Sequence, residues 1–184
     1  MKLIMVDLDG TLFDTKDVNY RAYKQALNAM AYDIDYEYYC SYCNGKHYKD
    51  FLPKIVADNV SAMEQIHQMK KSLYKQYLEF ARPNNNLIKL LENNKNSCKI
   101  ALITTASKEN TYDILERFSL VELFDLIVTR DDISKSKPNP EGYLYALTYF
   151  GVEANEAIIF EDSDVGIEAA KRCGVQCYVI IGYN

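Results

Sequence analysis

The chain of 184 residues has no apolar stretch approaching the roughly 20 residues that a membrane-spanning helix needs. The N-terminal segment MKLIMVDLDG contains only a short apolar run, which Asp7 interrupts, and this is not the pattern of a secretory signal peptide. We therefore expect a soluble, cytoplasmic protein with no membrane partner.

A surplus of basic residues is also missing. The chain has 21 Lys and Arg residues against 26 Asp and Glu residues, which gives a formal net charge of -5 at pH 7. Binding to a polyanion requires a basic face, so we expect no nucleic-acid partner. A small anionic ligand remains compatible with this balance, because a local site can oppose the net charge.

The cysteines do not form a disulfide framework. Their number is odd and their spacing is irregular, which is typical of a reducing compartment: Cys40, Cys43, Cys98, Cys173 and Cys177. Cys40 and Cys43 form a CxxC pattern, but no second pair accompanies it to complete a zinc site. We interpret this pattern as one turn of a helix.

Five short apolar runs predict strands. They are rich in Ile and Val, as is typical of parallel strands that are buried on both faces, and they cover residues 2–6, 99–104, 123–129, 157–161 and 175–181. Helix-like patterns separate most of them, at residues 84–94, 108–118, 140–150 and 164–174. This alternation predicts an α/β fold with a doubly wound parallel sheet and right-handed crossovers.

The alternation fails between the first two predicted strands. Roughly 90 residues separate them, far more than one crossover needs, and helix-like apolar spacing recurs there. We predict a small α-helical insert at residues 15–82, with residues 1–14 and 83–184 forming the core. Asp14 and Thr15 are expected to cap the first helix of the insert.

Polar residues recur at the carboxyl ends of the predicted strands, where open parallel sheets bind ligands. They are Asp7 and Asp9 after the first strand, Thr104 and Thr105 after the second, Lys135 and Lys137 in the loop after the third, and Glu161 and Asp162 after the fourth. Four carboxylates without compensation would repel one another, at a cost of several kcal/mol for each buried charge. Mg²⁺, which prefers oxygen ligands, and a lysine can supply the positive charge.

Phosphoryl transfer requires this set of groups. A carboxylate can attack phosphorus to form an aspartyl phosphate, while a metal, a lysine and a hydroxyl neutralise the phosphoryl oxygens. A second carboxylate must protonate the leaving oxygen and later deprotonate water. Asp7 and Asp9 lie two residues apart and can face one substrate if the extended geometry continues past the strand. Gly10 would let the backbone turn and approach the phosphate.

Four segments resemble, in order, the motifs of the haloacid dehalogenase superfamily: DLDGTLFDT, IALITT, KSKPNP and IIFEDSDVGIEAAKRCG. The similarity is to the phosphatase and β-phosphoglucomutase-like branch, in which a helical cap follows the first motif. It implies a Rossmann-like core and a Mg²⁺-dependent phosphatase that acts on a small phosphorylated metabolite. The aspartate at position 9 implies phosphate-ester chemistry rather than haloacid chemistry.

The resemblance also implies roles for the acidic residues. Asp7 would be the nucleophile and a Mg²⁺ ligand. Asp9 would be the acid/base and would offer its backbone carbonyl to the metal. Asp162 would bind Mg²⁺, and Glu161 would assist directly or through water.

The remaining roles concern the substrate. Thr104 would bind the phosphoryl group, with Thr105 as the alternative, and Lys137 would neutralise its charge, with Lys135 as the alternative. Gly45 and Lys46 correspond in position to the cap loop that enters the active site in this branch, where Lys46 would meet an anionic substrate or would be a solvated surface charge.

Two other functions remain open. A sugar phosphomutase would use the same residues, although Asn19 stands where many enzymes of this branch carry a histidine. A non-catalytic phosphate-binding switch would also gather acidic residues, a hydroxyl and a lysine, but receiver-like switches place the phosphoacceptor after a middle strand. The chain is expected to be a monomer or a homodimer.

Overall fold

The computed structural model describes residues 1–182, so the last two residues of the predicted core lie outside the described part of the chain. Two compact units are present: one combines Met1–Asp14 with the chain from Arg82 onward, and the other is Thr15–Ala81. Arg82, which was predicted to belong to the insert, lies in the first unit because it pairs with Asp14 in a short antiparallel ladder.

The first unit contains a five-stranded parallel sheet with the order β5-β4-β1-β6-β7, together with the two-stranded ladder β2-β3. The strands are β1 Leu3–Val6, β2 Phe13–Asp14, β3 Arg82–Pro83, β4 Lys99–Ile103, β5 Leu126–Val128, β6 Ala157–Glu161 and β7 Gln176–Val179. β1 is fully buried at the centre, where Leu3 pairs with Lys99 on one side and with Ala157 on the other. The predicted doubly wound α/β fold is confirmed.

The helices, in chain order, are α1 Lys16–Asn28, α2 Tyr36–Tyr38, α3 Tyr48–Ile55, α4 Val60–Leu73, α5 Asn85–Asn94, α6 Lys108–Arg117, α7 Glu141–Phe150 and α8 Asp164–Cys173. The four core helices, α5 to α8, agree with the predicted ranges to within one residue at each end. Their ends follow from the sequence: Ser163 caps α8 by accepting a hydrogen bond from the Gly166 N–H, and Gly174 ends it in the left-handed region.

Two strand predictions need correction. The run at 123–129 begins as a 3₁₀ turn at Val121–Leu123, and β5 starts only at Leu126. Asp125 lies directly before β5 and is bonded to Ile100 twice: its backbone N–H donates to the Ile100 carbonyl at 2.8 Å, and its carboxylate accepts the Ile100 N–H at 2.9 Å. The strand ladder starts after Asp125 because a side chain, and not a backbone carbonyl, accepts the Ile100 N–H. The run at 175–181 was expected to be buried on both faces, but β7 is an edge strand and Tyr178 and Val179 are half exposed.

The second unit is helical and has its own apolar core. Tyr23, Tyr39, Phe51 and Ile66 are among its buried residues, so several of its many tyrosines pack inside the insert. Cys40 and Cys43 lie in a π-helical turn, Tyr39–Cys43, and all five cysteines of the chain are free thiols.

The expected capping of α1 is wrong. Thr15 occupies the N-cap position but makes no side-chain capping bond. Its hydroxyl instead accepts a hydrogen bond from the Asn19 amide at 3.1 Å. The Asp14 carboxylate pairs with Arg82 at 2.5 Å, so it is engaged in the β2-β3 ladder.

Among the residues described, none of the helices has both the length and the apolar character that crossing a membrane requires.

His67 is a half-buried imidazole of the insert. Its ring stacks on Tyr48 with centroids 3.7 Å apart, and its Nδ1 lies 3.4 Å from the Tyr23 hydroxyl. Burial, reinforced by Lys70 and Lys71, lowers the pKa of His67 to about 4. The ring is therefore neutral at pH 7, and its Nδ1 can accept a hydrogen bond from the Tyr23 hydroxyl.

The stability of the protein should therefore depend on pH through His67. Between pH 6.5 and about 4 the unfolded chain binds a proton at this residue and the folded chain does not, so acidification favours unfolding. We expect the free energy of unfolding to fall less between pH 7.5 and pH 5 in His67→Gln than in the wild type, as measured by urea titration. Equal losses in the two proteins would contradict this prediction.

Candidate active site

The site forms at the carboxyl edge of the parallel sheet, where the strand order reverses. From β1 the chain passes to β4 on one side, and β6 later pairs with β1 on the other. Asp7, Thr104 and Asp162 directly follow these three neighbouring strands. A crevice at such a reversal is the usual ligand site of an open α/β sheet.

Lys137 lies at the centre of the site. Its Nζ donates to Asp7 Oδ1 at 2.6 Å, to Glu161 Oε1 at 2.6 Å and to the Ile103 carbonyl at 3.1 Å. These three acceptors match the three protons of an ammonium group. Its side chain is only 6% exposed. Lys135, the alternative from the sequence, is exposed and donates its backbone N–H to Glu141.

Glu161 is fully buried and both of its oxygens are engaged. Oε1 accepts from Lys137 and, at 3.3 Å, from the Tyr143 hydroxyl. Oε2 accepts the backbone N–H groups of Asp162 and Ser163 and the Ser163 hydroxyl, at 2.8, 2.9 and 3.0 Å. Burial alone would raise the pKa of Glu161. The charge and hydrogen bond of Lys137, together with the hydrogen bonds from Ser163, have the larger effect, so the pKa of Glu161 is lowered. Glu161 is therefore a buried anion that anchors the lysine.

Asp7 is buried beside this pair. Burial raises the pKa of Asp7 well above its usual range, against the opposing effect of Lys137, and the charges of Glu161 and Asp9 raise it further. Burial also opposes the charge of Lys137, but Asp7, Tyr143 and Glu161 hold the pKa of that ammonium well above its usual range. The carboxylates outnumber the lysine here, so the site has an excess of negative charge.

Asp162 completes the acidic group. Its Oδ1 accepts the Thr11 hydroxyl at 2.9 Å. Burial, followed by the charge of Glu161, raises the pKa of Asp162 to about 6. Gly10 has a φ of +92°, and a Cβ at this position would lie 2.0 Å from Asp162 Oδ2. Glycine is required at position 10 to leave room for this carboxylate as well as for the turn.

The donor set fits a hard divalent cation. Asp7, Glu161 and Asp162 each offer a carboxylate oxygen, and these oxygens lie within 4.8 Å of one another. Oxygen ligands of this kind suit Mg²⁺. A cation would oppose the effects that raise the pKa values of Asp7 and Asp162, which are burial first and the neighbouring carboxylates second.

The remaining core candidates flank Lys137. Thr104 is buried, and its hydroxyl oxygen accepts the Ala106 N–H at 3.0 Å, which leaves its proton to donate to a ligand. Thr105 is exposed, and both threonines line a cavity of about 10 Å³ beside Lys137, enough for one water molecule. Asp9 lies in the turn after β1, where its backbone bridges to Phe13.

Gly45 and Lys46 belong to the helical insert. Both are exposed, and Gly45 adopts a φ of +74° two residues after the end of the π-helical turn. Their role in substrate binding stays a prediction.

Tyr143 and Gly166, which lie against Glu161, were not among the candidates from the sequence. Tyr143 lies in the first turn of α7, where the apolar helical pattern predicts a core residue but does not report what the hydroxyl contacts. Gly166 lies in α8, where a Cβ would be 1.7 Å from Glu161 Oε1. In the sequence, the signal for this close packing was a glycine four residues after the pair Glu161 and Asp162.

Residues 4–180 match the model of a family described as haloacid dehalogenase-like hydrolase. The chain belongs to this family. The superfamily expected from the four motifs is thereby confirmed.

Relatives and a solved structure agree with this membership. The chain is 29% identical over 182 residues to a phosphorylated carbohydrates phosphatase of Thermotoga maritima, covering 96% of this chain and 83% of that protein. It is 29% identical over 177 residues to a phosphoglycolate phosphatase of Aquifex aeolicus, with the same coverage of 96% and 83%. The crystal structure of CbbY from Rhodobacter sphaeroides in complex with phosphate has a TM-score of 0.87 and 26% identity, covering 100% of this chain and 87% of that one.

Replacement of Gly166 tests the packing around Glu161. In an ordinary helix interior, Gly→Ala stabilises by about 0.5–1 kcal/mol. Here the added methyl group would overlap the Glu161 carboxylate, so we expect Gly166→Ala to destabilise the protein by about 1–3 kcal/mol in urea unfolding. Stabilisation by this substitution would show that the carboxylate is not held against α8.

Proposed function

We propose that this chain is a Mg²⁺-dependent phosphatase that hydrolyses a phosphate monoester of a small metabolite through an aspartyl phosphate on Asp7. The observation that carries the proposal is the Lys137 ammonium, which lies 2.6 Å from both Asp7 and Glu161 beside a third carboxylate, Asp162. This arrangement combines a nucleophile with fixed positive charge at a sheet edge suited to a phosphate.

The reaction has two displacements. In the first, an Asp7 oxygen forms a bond to phosphorus while the bond to the ester oxygen breaks, and Asp9 gives its proton to the leaving alcohol. In the second, water attacks the same phosphorus, Asp9 takes a proton from the water, and the bond to Asp7 breaks to release inorganic phosphate. Each carboxylate returns to its starting state.

Fixed donors stabilise the charge that develops on the phosphoryl oxygens. Lys137 is already desolvated and held by three acceptors, so little reorganisation is needed when a phosphate approaches. The Thr104 hydroxyl, whose oxygen is fixed by the Ala106 N–H, has a proton available for the same group. Thr105 and Gly10 lie in the adjoining turns and are the further phosphate contacts of this proposal.

Asp7 and Asp162 would hold the metal, together with the backbone carbonyl of Asp9. Mg²⁺ at this position would supply positive charge that offsets the carboxylates and the bound phosphate. The oxygens of Glu161 already accept five hydrogen bonds, so we assign it to anchoring Lys137, with any contribution to the metal made through water.

The substrate class is supported by the names of relatives that act on phosphorylated carbohydrates and on phosphoglycolate. These are compact phosphate esters, in accord with a site where the ammonium of Lys137 supplies fixed positive charge at the sheet edge. Gly45 and Lys46, exposed in the insert, are proposed to contact the part of the substrate that is not transferred.

Phosphate release from a panel of sugar, polyol, glycolate and nucleotide monophosphates tests the proposed activity. We expect release that requires Mg²⁺ and that falls at least about 1,000-fold in Asp7→Asn, because the amide cannot act as the nucleophile. Retention of full activity in Asp7→Asn would refute the mechanism. An isomerised sugar phosphate without released phosphate would instead establish a mutase.

The two lysines of the KSKPNP segment provide a matched pair of variants. We expect Lys137→Ala to lower kcat/KM by at least about 100-fold, since it removes the fixed charge at the phosphoryl group. Lys135→Ala should stay within twofold of the wild type, because this side chain is exposed. Circular dichroism and thermal unfolding would establish that both proteins are folded. Similar losses in the two variants would contradict the assignment of Lys137.

A further inference from the structure

We propose that Tyr143 is a positioning residue of this active site, which keeps the Lys137 ammonium directed at Asp7 by contacting both Lys137 and Glu161. The inference deepens the proposed phosphatase function and rests on it. Tyr143 acts through its two neighbours, and no part of the proposed reaction takes place on it.

The geometry places Tyr143 directly against the central ion pairs. Its hydroxyl donates to Glu161 Oε1 at 3.3 Å, and the centre of its ring lies 5.2 Å from Lys137 Nζ. The residue is only 1% exposed. Helix α7 can approach this closely because its neighbour is Gly142, where a Cβ would lie 2.8 Å from the Ile103 side chain.

A buried tyrosine at this position destabilises the folded protein unless its hydroxyl makes a hydrogen bond. A phenylalanine would fill the same apolar core without a polar group, whereas a buried hydroxyl loses its hydration and must find a partner. Glu161 Oε1 is that partner. The hydroxyl therefore contributes a hydrogen bond to Glu161, the carboxylate that anchors Lys137, whereas packing of the core would not require it.

The two contacts of Tyr143 influence where the Lys137 ammonium lies between Asp7 and Glu161. The ammonium lies between two carboxylates at equal distances of 2.6 Å. Glu161 Oε1 divides its attraction between Lys137 and the Tyr143 hydroxyl, and without the hydroxyl the lysine would be drawn toward Glu161 and away from Asp7. The face of the aromatic ring also attracts the desolvated cation and limits its movement.

This role predicts a specific kinetic effect. Tyr143 positions the Lys137 ammonium, which stabilises the charge on the phosphoryl group in the transition state. Replacement of Tyr143 should therefore lower kcat and leave the KM for the substrate within twofold of the wild type. The hydroxyl contact is long, so the effect should be modest, about three- to tenfold in kcat for Tyr143→Phe. Tyr143→Met, which also removes the ring, should lower kcat further.

The experiment is a double-mutant cycle on the full chain with Mg²⁺ and the best ester of the panel. If Tyr143 acts through Glu161, Tyr143→Phe should lower kcat in the wild type but change it less than twofold in a Glu161→Gln background. Tyr145→Phe is the matched control on the same helix, since Tyr145 is half exposed, and it should have wild-type kinetics. Thermal unfolding establishes that each variant is folded at the assay temperature.

Two results would overturn the inference: a kcat of Tyr143→Phe within twofold of the wild type, or an equal loss in the presence and in the absence of the Glu161 carboxylate. They are distinguishable from failure of the proposed function. If the wild type releases phosphate and Asp7→Asn does not, the phosphatase stands and only the role of Tyr143 is rejected. If the wild type releases none, both proposals fail.

Discussion

The contact between the Lys137 ammonium and the two buried carboxylates of Asp7 and Glu161 is the constraint on which the rest of the core depends. A charge this deeply buried is tolerated only when its partners are close and its protons are all used, and here three acceptors take the three protons. The contacts join parts of the chain that are 130 and 24 residues apart. Removing Lys137 would leave two uncompensated carboxylates in the interior.

The fold satisfies this constraint through strand order and close packing. β1 lies between β4 and β6, so Asp7 and Glu161 meet at one edge of the sheet, with the Ile103 carbonyl of β4 as the third acceptor. Asp162 and Ser163, which directly precede α8, donate two N–H groups and a hydroxyl to the other oxygen of Glu161. Gly166 lets that carboxylate lie against the helix, and Gly10 does the same for Asp162.

Much of this core was predictable, because hydrophobic period and capping residues report local structure. The β6 run at 157–161 and the glycine that ends α8 followed directly from such patterns. Local patterns did not predict that β7 is exposed or that Asp14 pairs with Arg82. Both depend on the whole fold, because strand order and a contact across 68 residues are not local properties. Tyr143 was missed for a similar reason: a helical period places a tyrosine in the core without stating which carboxylate its hydroxyl contacts.

The location of a covalent phosphoryl group would show directly whether Asp7 is the nucleophile. The protein would be mixed briefly with a turned-over phosphate ester and Mg²⁺, quenched in acid and digested, and the peptides would be analysed by mass spectrometry. We expect one acid-stable, hydroxylamine-sensitive phosphoryl group on Asp7, absent in Asp7→Asn. A phosphoryl group on another residue, or turnover in which none can be trapped under any quench time, would contradict it.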